Sequence, residues 1–158
     1  MDEKLLNKIV SNVVNEISRP TKNLTLKAAQ ILSSKIRQKA KEMGVNAVVA
    51  LTNRGGNPVL VEASDDSYIA SFNIALNKAY TVVALKMSTK KLGELACPSG
   101  PLYGIDHAGN NRLVIFGGGE PLLNDEGVVI GGLGVSGGTL EQDTFLAEYG
   151  KKIFERKE

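Results

Sequence analysis

The segment at residues 128–143, VVIGGLGVSGGTLEQD, carries three structural signals in direct succession. Its continuous run of apolar residues and glycine predicts a buried strand over residues 128–135. The loop Ser136-Gly137-Gly138 follows. Thr139 and Gln142, three positions apart, then form a capping box that begins a C-terminal helix. This succession of strand, glycine loop and helix organises the C-terminal half of the chain.

Glycine is the unusual component of the composition. The 158 residues include 17 glycines, and thirteen of them lie between Gly93 and Gly138. Average usage is about 7%. Glycine inside a strand removes side-chain packing and often marks a place where a ligand or another backbone comes close. We therefore expect the functional site in the glycine-rich half.

The flanking sequence predicts the remaining elements. A strand is expected over residues 113–116, followed by a tight loop at residues 117–121, GGGEP. In the N-terminal half, apolar residues three and four positions apart predict helices over about residues 25–43, 66–85 and 89–96. Strands over residues 45–52 and 59–61 enclose a glycine-containing turn and predict a β-hairpin. The apolar stripe of the helix at residues 66–85 consists of Ile69, Phe72, Leu76, Ala79 and Val83.

The composition excludes several classes of protein. A length of 158 residues predicts one domain, and a single cysteine excludes an intramolecular disulfide framework. A formal charge of +2 and 5% aromatic residues argue against a nucleic-acid partner. No apolar run approaches the roughly 18–20 residues of a membrane helix. We therefore expect a cytoplasmic protein that binds neither nucleic acid nor membrane.

The first 18 residues predict an amphipathic helix, with apolar residues at three- and four-residue spacing from Leu5 to Ile17. Arg19-Pro20 ends it, because proline removes a backbone donor and restricts its predecessor. We divide the chain into this helix with its linker, residues 1–22, and a domain at residues 23–158. The helix either packs on the domain or a second subunit, or acts as a detachable targeting segment joined by the polar linker at residues 18–23. Short N-terminal helices of this kind resemble the peptides that direct enzymes into bacterial microcompartments.

The glycine loop allows two chemical interpretations. Backbone N–H groups at a helix N-terminus can bind an anion, although neither a Walker motif nor Gly-x-Gly-x-x-Gly is present. Residues 134–138, GVSGG, match the Gly-x-Ser-x-Gly elbow of serine hydrolases. Those hydrolases place their histidine after the serine, whereas His107, the single histidine of this chain, precedes Ser136.

Four stretches resemble the GlcG/HbpS family. They are residues 24–29 (LTLKAA), 102–105 (LYGI), 114–121 (VIFGGGEP) and 134–139 (GVSGGT), the last followed by Glu141-Gln142-Asp143. Residues 102–121 are most similar to the C-terminal domain of PduO, a protein of propanediol utilisation. The resemblance extends over about residues 23–156. It implies a profilin-like α/β (α+β) domain, with a central antiparallel sheet of about five strands flanked by helices, that assembles into homo-oligomers.

The resemblance also implies that some members of the family bind haem. Haem iron takes an axial ligand such as His, Cys, Met or Tyr. The candidates in this chain are His107, Cys97, Tyr103, Met43 and Met87, and His107 is also the candidate metal ligand. Together with Ser136, Gly137, Gly138 and Thr139, the residues His107, Cys97 and Tyr103 make up the expected cofactor-binding set.

These observations predict a non-catalytic haem- or cofactor-binding accessory protein of a catabolic pathway. The pathway would be linked to diol utilisation or to a bacterial microcompartment. In a microcompartment, residues 1–18 would contact the shell. One alternative is an enzyme that acts on a small anionic metabolite at residues 136–139, with His107 and Asp106 as acid–base groups. Another is a structural assembly module whose surface matters more than any pocket.

Overall fold

One antiparallel sheet organises the part of the chain that the computed structural model describes, residues 2–17 and 23–156. Residues 18–22, which hold most of the predicted linker, lie outside that part. The helices are α1 (Glu3–Ile17), α2 (Leu26–Glu42), α3 (Ile69–Leu85), α4 (Thr89–Ala96) and α5 (Leu140–Glu155). The strands are β1 (Val48–Asn53), β2 (Pro58–Ala63), β3 (Gly119–Leu123) and β4 (Val129–Ser136).

The strand order is β2-β1-β4-β3, so β1 and β4 occupy the centre of the sheet. They pair antiparallel with Val48 opposite Ser136 and Leu51 opposite Leu133. Alternate residues of a strand point to opposite faces. Val49, Leu51, Leu133 and Val135 therefore pack into the core beneath α2 and α5, and Val48 and Ala50 face α3. The result is a three-layer α/β/α arrangement, which confirms the predicted fold class.

The glycines of β4 let α3 lie directly on the sheet. A Cβ atom added to Gly134 would overlap the carbonyl oxygen of Ala75, and one added to Gly132 would overlap that of Ala79. The hydroxyl of Thr52 donates to the same Ala79 oxygen at 3.1 Å. These glycines were predicted to let a ligand or another backbone come close to the strand. In the structure, the backbone that comes close is that of α3 in the same chain.

The local predictions are largely confirmed. α2 lies within the predicted residues 25–43, the hairpin of β1 and β2 forms as expected, and β4 differs from its predicted bounds by one residue at each end. At the start of α5, Thr139 and Gln142 form the complete capping box. Each of these features depends on residues close together in the sequence.

The prediction of about five strands, with one at residues 113–116 and a loop at residues 117–121, is wrong. The structure has four strands in its described residues, and residues 113–116 are irregular. There the backbone N–H of Val114 donates to the Thr81 hydroxyl at 3.0 Å and not to a neighbouring strand. Gly119 begins β3 instead, and Pro121 is accommodated because β3 is an edge strand.

The apolar stripe predicted for α3 is also partly wrong. Ile69 is 97% exposed and Phe72 is 45% exposed. The face that packs against β4 carries mostly small and polar residues, because the glycines of β4 bring the two backbones too close together for large side chains. The buried residues of α3 are Ser71, Ala75, Lys78, Ala79, Thr81 and Val82.

Candidate functional site

A groove lies at the end of the sheet where β4 leads into α5, and we call it the glycine groove. It consists of two adjoining pockets of about 540 and 340 Å³ that share Phe116 and Leu140. The larger pocket has an apolar wall formed by Ile115, Phe116, Leu140 and Phe145. The smaller one adds Tyr68 and Ile74, together with the loop residues Ser136, Gly137 and Gly138.

An ion pair lies buried beneath this groove. The Lys78 side chain, which is fully buried, donates to a carboxylate oxygen of Asp143 at 3.2 Å and to the carbonyl of Val135 at 2.8 Å. The ring of Phe116 covers its Nζ atom, with 5.0 Å between that atom and the ring centroid. Lys78 therefore links α3, the end of β4 and the first turn of α5 at one point.

Burial changes the protonation equilibria of both partners. It lowers the pKa of Lys78 and raises the pKa of Asp143, because each charged form loses its contact with water. The attraction between the two charges opposes both shifts. Lysine is almost never fully buried without a partner. Asp143 is thus the group that allows Lys78 to occupy this position.

The N-terminus of α5 is satisfied from within the chain. The backbone N–H of Gly138 donates to Asp143 at 2.8 Å, that of Thr139 to the Gln142 side chain at 2.9 Å, and that of Gln142 to the Thr139 hydroxyl at 3.2 Å. A bound anion would compete with the Asp143 carboxylate for the same donors. The geometry therefore disfavours the anion-binding interpretation of the glycine loop.

The structure does not assemble a serine-hydrolase site around Ser136. Its hydroxyl is buried and donates to the hydroxyl of Ser71 at 3.2 Å. The side chain of His107 is 84% exposed in the loop between α4 and β3. A general base must lie within hydrogen-bonding reach of the group it deprotonates. Ser136 instead contributes its backbone and hydroxyl to the floor of the groove.

The three loop candidates of the cofactor-binding set lie apart from the groove lining. Cys97 is exposed, and its thiol donates to the carbonyl of Glu94 at 3.2 Å. Tyr103 is 70% exposed, and the His107 imidazole lies 3.9 Å from the Asp106 carboxylate. The structure thus brings Ser136, Gly137 and Gly138 together in the groove, but it places Cys97, Tyr103 and His107 outside it. Among the described residues, no three His, Cys, Asp or Glu side chains cluster in the way that a metal site requires.

Tyr68 is the groove residue that the sequence analysis missed. It lies immediately before α3 and lines the smaller pocket with a 74% exposed side chain. A tyrosine before an apolar helix carries no distinctive signal in the sequence. Its position becomes informative only when the fold brings the start of α3 beside the glycine loop.

A separate pocket of about 630 Å³ lies elsewhere in the described residues, and we call it the cationic pocket. Arg54, Lys86, Lys91 and Lys151 line it, together with the buried carboxylate of Glu120. Burial raises the pKa of Glu120, while Lys151 at 3.2 Å opposes that shift. Met87 also lines this pocket, whereas Met43 caps the end of α2 and packs against the core.

The residues of the glycine groove are chemically suited to haem. Flat apolar walls are provided by Phe116, Leu140 and Phe145, and the phenol of Tyr68 is an oxygen ligand of the type that catalase uses for iron. Lys90 and Glu148 lie beside the apolar walls and form an ion pair with each other at 3.4 Å. A haem bound here would meet apolar side chains and a phenol oxygen able to act as its axial ligand.

The four-stranded antiparallel sheet lies between two helical layers and defines a small α+β domain with an apolar groove beside its glycine loop. A family model described as "Haem degrading protein HbpS-like" matches residues 24–152. The chain therefore belongs to the HbpS-like family, as the four sequence stretches indicated.

Three similar proteins place the chain within this family. A 15.0 kDa protein from the dhaT-dhaS intergenic region of Citrobacter freundii is 41% identical over 131 residues, which cover 83% of this chain and 92% of that protein. The corrinoid adenosyltransferase PduO of Salmonella typhimurium is 36% identical over 111 residues, or 70% of this chain, but the match spans only 33% of PduO. A crystal structure of a PduOC:haem complex has 30% identity and a TM-score of 0.79, with 85% of this chain and 99% of that chain covered.

None of the described helices is long and apolar enough to cross a membrane.

Proposed function

We propose that this protein binds haem, or a related tetrapyrrole, in the glycine groove and serves as a non-catalytic accessory protein of a catabolic pathway. The observation that carries the proposal is the apolar groove with the Tyr68 phenol beside it, in a chain whose relative PduOC has been crystallised with haem. Bound haem supplies an iron centre whose properties depend on its axial ligand and surroundings.

The residues of the groove have separate roles in this proposal. Phe116, Leu140 and Phe145 exclude water from the flat faces of the ligand, and the phenol oxygen of Tyr68 would hold the iron. Gly137 and Gly138 line the smaller pocket with their backbone, and a Cβ atom added to either would meet Asn46 or Gln142 of the same chain. Lys78 and Asp143, which lie below the surface, hold the loop and the start of α5 in place.

We expect Tyr68→Phe to weaken haem binding by at least about tenfold, equivalent to about 1.4 kcal/mol. The change removes one oxygen atom from an exposed side chain, so the fold should be unaffected. Titration of the purified protein with haem, followed by the Soret band, measures both the affinity and the ligand-dependent position of the band. Tyr103→Phe is the matched control, because Tyr103 is 70% exposed and lies outside the groove.

The same titration tests the loop candidates. His107→Ala and Cys97→Ala should leave the Soret band and the affinity unchanged. If His107→Ala or Cys97→Ala abolishes the band and Tyr68→Phe does not, the iron ligand lies in the loop and the assignment of Tyr68 is wrong. If the unaltered protein shows no saturable binding of haem, the proposed function itself is wrong.

A second role is favoured by α1. Its apolar side chains are between 42% and 52% exposed, although they form a continuous stripe. These residues are Leu5, Leu6, Ile9, Val10, Val13 and Val14. Within residues 2–17 and 23–156, α1 has no extensive packing contact with another helix or strand. We therefore propose that α1 is a targeting helix that binds another protein, and the PduO relative suggests the shell of a bacterial microcompartment as that partner.

Deletion of residues 1–20 is expected to leave the thermal midpoint of the domain unchanged within about 2 °C, because α1 contributes no core residue. The same deletion should abolish co-sedimentation with shells assembled from purified shell proteins. A drop in the thermal midpoint, or loss of the oligomeric state by light scattering, would show that α1 is part of the fold. A variant with Leu6 and Val10 changed to serine serves as a full-length control, since it interrupts the apolar stripe without removing the helix.

A further inference from the structure

The cationic pocket is separate from the glycine groove and has a distinct chemical character. Its four cations come from four parts of the chain: Arg54 from the turn between β1 and β2, Lys86 from the end of α3, Lys91 from α4 and Lys151 from α5. Cations that converge on one concavity repel one another in the absence of a counter-charge. This arrangement therefore favours an anionic occupant.

Only part of this positive charge is compensated by the chain itself. Lys91 pairs with Glu94 at 3.0 Å, and Lys151 pairs with Glu120 at 3.2 Å. Across the described residues, neither Arg54 nor Lys86 forms an ion pair. Two cations of the pocket are thus available to an external anion.

The backbone at Lys86 adds an independent observation. This residue ends α3 in the left-handed conformation, with φ of 55° and ψ of 36°. Glycine or asparagine normally occupies such a position, since a side chain there is strained. Lys86 lines the cationic pocket in this conformation, at a cost in backbone energy that glycine would avoid. Strain of this kind persists only where the surrounding structure holds the residue in place.

The floor of the pocket is apolar. Val83, Pro121, Val128 and Val129 line it, and the hydroxyl of Ser88 lies among the lining groups. The Ser88 oxygen accepts the backbone N–H of Lys91 at 3.1 Å, which leaves its hydroxyl hydrogen able to donate. The pocket thus offers two free cations, a hydroxyl donor and an apolar surface for the body of a ligand.

We propose that the cationic pocket binds a small organic phosphate monoester, with its phosphate held by Arg54 and Lys86 and its carbon body resting on the apolar floor. A phosphate monoester carries between −1.5 and −2 charges near pH 7 and three acceptor oxygens. Its charge and its three oxygens match in number the two free cations and the Ser88 hydroxyl, whereas a carboxylate has one charge and two oxygens. Guanidinium and phosphate also match in a two-point geometry. This site does not depend on haem binding in the glycine groove.

Phenyl phosphate is a suitable probe, because its ring tests the apolar floor and its head group tests the cations. Isothermal titration should show saturable binding of phenyl phosphate, with at least about tenfold weaker binding of benzoate and of inorganic phosphate. Binding should weaken as the salt concentration rises, as expected for a site on exposed charges. Equal affinity for benzoate would overturn the assignment to a phosphate, and the absence of saturable binding would overturn the site.

Lys86→Gly is the decisive variant, since it removes the cation and relieves the backbone strain together. We expect it to weaken phenyl phosphate binding by about tenfold while raising the thermal midpoint by about 2–4 °C. Arg54→Ala should weaken binding to a similar degree. Lys35→Ala, which removes an exposed lysine on α2 without an ion pair, is the charge control and should leave binding unchanged. Unchanged affinity in both Lys86→Gly and Arg54→Ala would overturn the proposal.

A haem titration of Lys86→Gly separates this proposal from the function proposed above. If the two sites are independent, the variant loses phenyl phosphate binding and keeps the Soret band of the unaltered protein. If it loses both, the ligands share the cationic pocket, and the assignment of a separate phosphate site is wrong. If no variant binds haem but phenyl phosphate still binds, the proposed function is wrong and the phosphate site is supported.

Discussion

Gly134→Ala is expected to destabilise the protein by at least about 3 kcal/mol and to leave little folded material at 37 °C. A methyl group at this position would occupy the space of the Ala75 carbonyl oxygen and would also contact the Ala79 backbone nitrogen. Neither is a side chain that could rotate away, so α3 would have to move off the sheet. Overpacking typically costs about 1–3 kcal/mol, and a clash with backbone belongs at or above the upper end. Such a loss is a large fraction of the roughly 5–15 kcal/mol by which domains are stable.

Urea unfolding followed by far-UV circular dichroism measures this effect. Gly55→Ala is the matched control, because an added Cβ there would meet only the side-chain ends of Asn57 and Asn53, at 3.1 and 3.3 Å. Its unfolding free energy should change by less than about 1 kcal/mol. A Gly134→Ala variant as stable as Gly55→Ala would show that α3 does not lie against β4 as described.

Lys78→Met is expected to cost about 3–5 kcal/mol, because it leaves the Asp143 carboxylate buried without its cation. Methionine nearly matches the lysine chain in shape, so the loss arises from the charge and its hydrogen bonds more than from a cavity. The carbonyl of Val135 also loses its donor from Lys78. The same unfolding measurement should show the loss, and near-ultraviolet spectra should show whether the variant keeps its packing.

The double variant Lys78→Met/Asp143→Asn tests whether the unpaired carboxylate of Asp143 causes this loss of stability. The asparagine oxygen can still accept the backbone N–H of Gly138, while the buried negative charge disappears. The double variant should therefore be more stable than Lys78→Met alone. If the two variants are equally unstable, packing and not the unpaired carboxylate accounts for the loss.

The parts of the fold that were predictable from the sequence depend on local chemistry. The capping box of Thr139 and Gln142 and the β1–β2 hairpin each combine residues a few positions apart, so their signals are present before any tertiary contact forms. The predicted strand at residues 113–116 is wrong because strand pairing depends on contacts between distant parts of the chain. Its apolar residues look like a strand, yet β4 pairs with the glycine-containing β3 instead.

The burial of Lys78 could not be predicted from the helix in which it lies. Helical periodicity identified Ile69 and Phe72 as core positions, but the glycines of β4 bring α3 so close that small residues occupy the interface. The partner of Lys78 is Asp143, which lies 65 positions further along the chain. An isolated lysine on an otherwise apolar helix gives no indication of such a distant partner.

The sequence located the site only in part. Ser136, Gly137, Gly138 and Thr139 were predicted to bind a cofactor. The first three line the glycine groove, and cofactor binding by these residues stays a prediction. Tyr68 and Phe116 join them from two other parts of the chain, which a local pattern cannot reveal. The cationic pocket could not be predicted from the sequence for the same reason. Its cations are spread from Arg54 to Lys151 and belong to four separate segments.

The proline in β3 has a consequence for how this protein meets its neighbours. Val135 donates to the carbonyl of Gly118, and the alternation of an antiparallel ladder then turns the nitrogen of Pro121 away from β4. That outward nitrogen carries no hydrogen, so a strand arriving at this edge finds a donor missing. Glu120 adds a buried, inward-held charge at the same edge. An approaching strand therefore cannot form a complete antiparallel ladder with β3, so this edge of the sheet is protected from strand-to-strand association.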